Sequence, residues 1–345
     1  MSMKRGDSRR ARIAVTIGDI NGIGPEIILR TIGLYAENGP PADLIVISPP
    51  EVVRFWNQRL HLLTPAVERR VLGRGETTTG VSLVEPDLAG EAHITPGIPS
   101  PESGRVAGQA IVKAHELVSS GAVDAIVTAP ISKQALHAAG FDYPGHTEFL
   151  ASLAGVTTPV MMLAAGTFRI ALITTHMALH DVPASLSVKK IVSVLAILHD
   201  ELRRRFAIVR PRIAVTALNP HAGEGGAFGD EEQRIIAPAI EEAKSQGIDV
   251  SGPFAADALF ARMQDREAYD VYVAMYHDQG LIPLKMRAQG RGVNYTCGLP
   301  FIRTSPDHGT AYDIAGQGKA SPASFVEAIN FALERIDSSE QGSGI

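Results

Sequence analysis

Short runs rich in Val, Ile and Ala alternate along this chain with longer segments of helical period. Parallel strands need a crossover long enough to hold a helix, so this alternation is the mark of βαβ units and a mainly parallel sheet. The runs expected as strands are Arg12–Ile17, Asp43–Ile47, Ala125–Thr128, Val160–Leu163, Arg169–Thr174, Arg212–Ala217 and Val271–Met275. One helix follows by counting. Val188, Ile191, Leu195, Leu198, Leu202 and Phe206 recur at helical spacing, with Ser187 as N-cap and Arg203 to Arg205 at the negative end of the helix dipole. His199 on that helix reads as structural. A second helix is expected from about Glu231 to Gln246, stopping at Gly247, and a third from near Ser103 to about Ser119.

The 345 residues, 45% hydrophobic and 20% charged, are enough for two ordinary domains, but no repeat, linker or low-complexity segment marks a boundary. A net charge of −5 without a long basic run leaves no electrostatic footprint for nucleic acid or anionic lipid, which favours a small-molecule partner. The single cysteine, Cys297, cannot form an internal disulfide and suits a reducing compartment, so a cytoplasmic location is expected. The basic start MSMKRGDSRRAR precedes an apolar run, Ile13 to Ile17, too short for a signal-peptide core. No stretch approaches the roughly 20 apolar residues that span a bilayer.

Three of the expected strands run into histidines: RIALITTH ends at His176, RIAVTALNPH at His221 and VYVAMYH at His277. Ligands of open parallel sheets bind beyond the carboxyl ends of the strands, so these three can converge although far apart in sequence. Neutral imidazole is the commonest protein ligand of zinc-like ions, and three protein ligands with one open position is the catalytic arrangement. Each histidine could instead cap its strand or bond a loop carbonyl. Asp278 and Glu224, in the polar loops around His277 and His221, are candidates to orient a ligand or are solvated loop acids.

After the first strand comes Gly18-Asp19-Ile20-Asn21-Gly22-Ile23-Gly24-Pro25-Glu26, with Pro25 and Glu26 suited to a first helical turn. A dinucleotide fingerprint fails here, because Ile27 stands where a third glycine belongs and the second strand ends without an acid for a ribose. A tight strand-to-helix turn close to a ligand, or a turn alone, remains.

Several segments together resemble the 4-hydroxythreonine-4-phosphate dehydrogenase family, part of the isocitrate and isopropylmalate dehydrogenase-like superfamily. They are the Gly18 to Glu26 loop, Pro99-Ser100-Pro101-Glu102-Ser103-Gly104-Arg105, Thr128-Ala129-Pro130-Ile131-Ser132-Lys133, Gly145-His146-Thr147-Glu148, the three histidine loops, and the run from Gly290 to Gly318. The resemblance covers nearly the whole chain. It departs at Ile20-Asn21, where many relatives carry Pro-Ala, and after His176 at Met177-Ala178-Leu179-His180.

The resemblance implies an α/β fold of two α/β/α domains with mainly parallel sheets and an active site in the cleft between them. The expected division is a discontinuous cofactor-side domain, 10–130 with 296–340, and a metal, substrate and dimerisation domain, 131–295. His176, His221 and His277 match the ligands of one divalent ion (Zn, Mg or Co). His146, Thr147, Lys285, Asn294 and Arg303 match substrate-binding positions. His308, Gly309, Thr310, Ala311 and Asp313 lie in what looks like the superfamily's loop around the adenosine of NAD or NADP. Lys285 is the expected proton carrier, while Asp257 is expected either as a base or as a partner to the metal site, or else as the N-cap of the helix ahead of it. The partners implied are a phosphorylated small molecule and a second copy of the chain, with the site at the subunit interface.

The implied reaction is NAD(P)-dependent oxidation of 4-phosphooxy-L-threonine, then decarboxylation to 3-amino-2-oxopropyl phosphate. Dehydrogenases of D-threonate or D-erythronate 4-phosphate, or of a dihydrodiol dicarboxylate, are the nearest alternatives. A phosphate acyltransferase of related fold and a non-catalytic metal-binding protein are the alternatives of other classes. His61, His93, His115, His137 and His180 carry no assigned role.

Overall fold

A computed structural model describes residues 9–73, 80–88, 90–262 and 268–342. Its strands are β1 (Arg12–Thr16), β2 (Asp43–Ile47), β3 (Val81–Val84), β4 (Ala125–Thr128), β5 (Val160–Ala165), β6 (Phe168–Leu172), β7 (Arg212–Thr216), β8 (Asp249–Phe254), β9 (Val271–Ala274), β10 (Val293–Cys297) and β11 (Ile302–Pro306). The chain divides into two compact units, Met1–Ala154 with Phe301–Ile336, and Gly155–Pro300 with Asp337–Ile345.

In the first unit the strand order is β3-β2-β1-β4-β11, all parallel. Chain direction across the sheet reverses between β1 and β4, which makes the gap beyond their carboxyl ends the topological switch point, the standard ligand crevice of such sheets. The Gly18 to Glu26 loop follows β1 and the Thr128 to Lys133 segment follows β4. They touch: Asp19 N donates to Pro130 O at 2.8 Å, and a Cβ on Gly18 (φ +71°) would lie 2.4 Å from that oxygen.

In the second unit the order is β10-β5-β6-β9-β7-β8, antiparallel from β10 to β6 and parallel from β6 to β8. β6, β9 and β7 are therefore parallel neighbours, and the loops that leave their carboxyl ends carry His176, His277 and His221 in turn. One face is packed by Leu163, Phe168, Ile170, Leu172, Tyr272 and Leu284, all buried. The helix His277–Ala288 lies so close to this sheet that a Cβ on Gly280 would meet Ile170 Cγ2 at 2.7 Å.

The counted helix spans Val188–Phe206, with Ser187 Oγ accepting from Lys190 N at 3.2 Å and Ile191, Leu195, Leu198 and Leu202 buried. The helix read as starting near Ser103 starts at Pro101, because Ser100 and Ser103 form a reciprocal capping box. The helix read as Glu231 to Gln246 is in two parts, a π-helical turn Glu232–Ile236 and an α-helix Ala237–Ser245. Pro238 has no N–H for a regular bond to the Arg234 carbonyl, which favours the wider turn ahead of it. No single helix among the described residues is long and apolar enough to cross a membrane.

Gly104 lets the Pro101–Ser119 helix touch the backbone of the next helix: an added Cβ would stand 1.9 Å from Ala135 O. Gly104→Ala is expected to lower stability by about 2–3 kcal/mol through overpacking. Urea unfolding of the full chain measures this, and an unchanged midpoint would show that the two helices do not meet so closely.

Candidate active site

The first unit gathers His146, Thr147 and Arg303. Arg303 is on β11, opposite Ile126 of β4, and only 2% exposed. Its Nη2 donates to Thr128 Oγ1 at 2.6 Å. Burial lowers its pKa to about 10, while Glu148 nearby favours the charge, so the guanidinium stays cationic at neutral pH. A buried cation is expensive unless hydrogen bonds and anions offset it, and Thr128 and Glu148 do so here.

His146 opens the helix His146–Leu153 behind Gly145, and Thr147 beside it is buried. Burial, and then the Arg303 charge, push the His146 pKa well below its usual value against a backbone hydrogen bond with Ala129. The residue keeps some solvent contact, but its Nε2 is buried and has no hydrogen-bond partner among the described residues. The imidazole is thus a neutral hydrogen-bonding group beside a cation.

The five residues expected around a cofactor lie in the loop after β11. Ile23 N donates to Thr310 O at 2.9 Å, and a Cβ on Gly22 would lie 2.9 Å from Thr310 Cβ, so the N-terminal glycine loop packs directly on this one. Ala311 has a left-handed backbone (φ 42°), and His308 Nδ1 lies 3.1 Å from Gly309 O. Gly309 and Asp313 are exposed. Asp19, given no role from sequence, is fully buried and accepts from Tyr312 OH at 2.8 Å, Ser103 Oγ at 2.9 Å and Asn21 N at 2.9 Å. Burial raises its pKa against these bonds.

In the second unit His176 and His277 come together, with ring centroids 5.6 Å apart, in a hollow of about 380 Å³ that Thr175, Met177, Leu179 and Tyr276 also line. His277 Nδ1 lies 2.7 Å from Asp278 Oδ1, the carboxylate–imidazole pairing that leaves the other ring nitrogen for a metal. These two imidazoles are donors of the kind a divalent ion takes, two of the three expected. His221 does not join them: no group of three or more His, Cys, Asp or Glu side chains is placed to hold a metal among the described residues. His221 instead sits in a left-handed stretch, His221 to Gly225, with its ring 6.2 Å from Phe228. Glu224 is in the same stretch and exposed.

Left-handed backbone at His221, Ala222 and Glu224 is strained, of order 1–2 kcal/mol per residue. Glu232 holds its base, its Oε1 accepting from Leu218 N and Asn219 N, each at 2.8 Å. Lys285 is exposed on the last turn of the His277–Ala288 helix, and Asn294 on β10 has a buried Oδ1 with no hydrogen-bond partner among the described residues. Asp257 is not the N-cap of its helix. That position is Ala255, and Asp257 lies exposed in the first turn.

Comparison with known proteins adds to this geometry. The family model described as "Pyridoxal phosphate biosynthetic protein PdxA" matches residues 44–332. A 4-hydroxythreonine-4-phosphate dehydrogenase of Geobacter metallireducens is 47% identical, covering 97% of this chain and 98% of its own length. A Bradyrhizobium diazoefficiens protein provisionally named D-threonate 4-phosphate dehydrogenase is 43% identical over 94% of this chain and 96% of its own. The crystal structure of 4-hydroxythreonine-4-phosphate dehydrogenase from Klebsiella pneumoniae superposes with a TM-score of 0.82 at 39% identity, covering 95% of this chain and all of that one.

The depressed His146 pKa has a stability signature. The unfolded chain takes up this proton below about pH 6.5 and the folded chain does not, so the stabilisation is complete above that pH and is lost as pH falls toward the folded value. The thermal midpoint of His146→Gln is expected to fall less between pH 7.5 and 5.5 than that of the wild type. Parallel pH curves for the two proteins would contradict the neutral, buried imidazole.

Proposed function

The chain belongs to the PdxA family of pyridoxal phosphate biosynthetic proteins, and from that premise we propose that it oxidises 4-phosphooxy-L-threonine with NAD or NADP. The product, 2-amino-3-oxo-4-(phosphooxy)butanoate, loses carbon dioxide to give 3-amino-2-oxopropyl phosphate. The observation that carries this reading is the likeness, over almost the entire chain, to dehydrogenases of that name. A second reading, oxidation of D-threonate 4-phosphate, is favoured by relatives of nearly equal identity that bear that name.

In this reading Arg303 supplies a fixed positive fork for a substrate anion, and neutral His146 adds a hydrogen bond through Nε2 without adding a charge. Thr147, Lys285 and Asn294 complete the substrate set, the last through its buried Oδ1. His176 and His277 would hold one divalent ion (Zn, Mg or Co), with Asp278 orienting the His277 ring, and His221, which does not join them within this chain, would take part through the sharing of the metal between subunits. When bound, such an ion would lower the pKa of the substrate hydroxyl, polarise the ketone and stabilise the negative charge of the enolate, with nicotinamide as the hydride acceptor. Lys285 passes the proton that decarboxylation requires, and Asp257 is retained as an alternative base.

His308, Gly309, Thr310, Ala311 and Asp313 receive the adenosine side of the cofactor. The first unit is then the cofactor side, and the second carries the metal and the dimer contact. A homodimer with metal binding shared between subunits suits the second unit's surface, where Leu179, Phe228, Ile282 and Met286 are more than half exposed and Met177 and Leu179 border the histidine hollow. The enzyme is placed in the cytoplasm.

A substrate panel followed at 340 nm tests the proposal. Turnover is expected with 4-phosphooxy-L-threonine, and turnover only with D-threonate 4-phosphate, or only with a non-phosphorylated diol, would overturn the substrate. Arg303→Lys keeps the charge but loses the fork, and is expected to lower kcat/KM about 10- to 100-fold, mostly through KM.

A further inference from the structure

We propose that Gln279 is the positioning residue that ties the His277 loop to the His221 loop. Its Oε1 accepts from Met275 N at 2.7 Å and from Thr216 Oγ1 at 2.8 Å, while its Nε2 donates to Ala217 O at 2.7 Å. The orientation of the amide is unambiguous, because a backbone N–H can only donate and a carbonyl can only accept. Met275 directly follows β9, two residues before His277, and Thr216 ends β7 with Ala217 next on the way to His221. One side chain therefore joins the last backbone groups of two adjacent strands at the edge where their histidines emerge.

The tie extends further on both sides. Met275 O accepts from Thr174 N at 3.2 Å and Thr174 Oγ1 at 2.7 Å, which brings in the loop of His176. Just past Ala217, Leu218 N and Asn219 N are held by Glu232. Gln279 is the centre of this lattice: its Oε1 accepts from the ends of both β9 and β7, and its Nε2 donates to the residue after β7. A carboxylate at this position keeps the bonds from Met275 N and Thr216 but faces the Ala217 carbonyl with no proton to give. A thioether keeps neither end.

Gln279 is also the third residue of its helix, where Gln and Glu commonly cap by reaching back to the preceding backbone. Glu serves a cap as well as Gln does, so Gln279→Glu separates simple capping from the tie between loops. The inference rests on the metal reading above, and metal alone probes it. The full-length wild type, Gln279→Glu and Gln279→Met are titrated with Co²⁺, following its visible absorption, and amide exchange at Leu218 and Asn219 is measured without metal. As a control, Tyr295→Phe removes a buried hydrogen bond to Glu201 elsewhere in the same unit.

The expected result is Co²⁺ affinity about 10- to 100-fold weaker in both Gln279 variants, exchange at Leu218 and Asn219 at least about tenfold faster, and wild-type affinity in Tyr295→Phe. Unchanged affinity in Gln279→Glu, whether or not exchange quickens, overturns the inference, as does equal weakening in Tyr295→Phe, which would trace the effect to general stability. A wild type that binds no Co²⁺ overturns the metal reading and this inference together.

Discussion

Three parallel strands of the second unit, β6, β9 and β7, end side by side, and short polar side chains bond the last backbone groups of each to those of the next. Beyond a strand end the ladder no longer fixes the chain, so such bonds decide where the next residues emerge. Thr174, Thr216 and Gln279 do this for the loops of His176, His221 and His277, and Glu232 anchors the strained segment that carries His221. The result is two imidazoles with ring centroids 5.6 Å apart, one oriented by Asp278, and a third histidine in the loop beyond the neighbouring strand.

The first unit solves a different problem, holding a positive charge inside a folded chain. Arg303 is anchored on β11 by Thr128, with Glu148 favouring its charge and a histidine beside it kept neutral by burial. Around the same switch point, Asp19 joins the glycine loop after β1 to Tyr312 in the loop after β11 and to Ser103 in the capping box of the Pro101–Ser119 helix.

Most of the fold was legible in the sequence because strands and amphipathic helices are written in local pattern. Asp43–Ile47, Ala125–Thr128 and Val188–Phe206 stand where periodicity puts them. Helix ends were less legible where side chains decide them, as at Ser100 and at the wide turn before Pro238. The placement of the histidines at strand ends was legible too, but not their distances, since the left-handed turn at His221 has no periodic signature. Gln279, Glu232 and Asp19 were missed because each acts on backbone that is near in space and far in sequence. A glutamine two positions after a strand-end histidine was the only local hint of the first.

The central claim, that this PdxA-family chain is a metal-dependent dehydrogenase of a phosphorylated hydroxy amino acid, is tested most directly by removing the metal. Chelator-treated protein, cleared of chelator, is assayed at 340 nm with 4-phosphooxy-L-threonine and NAD or NADP, before and after adding Zn²⁺, Co²⁺ or Mg²⁺. The predicted result is no NADH or NADPH from the stripped protein and restored turnover with at least one of the ions. Full turnover by the stripped protein before any ion is added would contradict it.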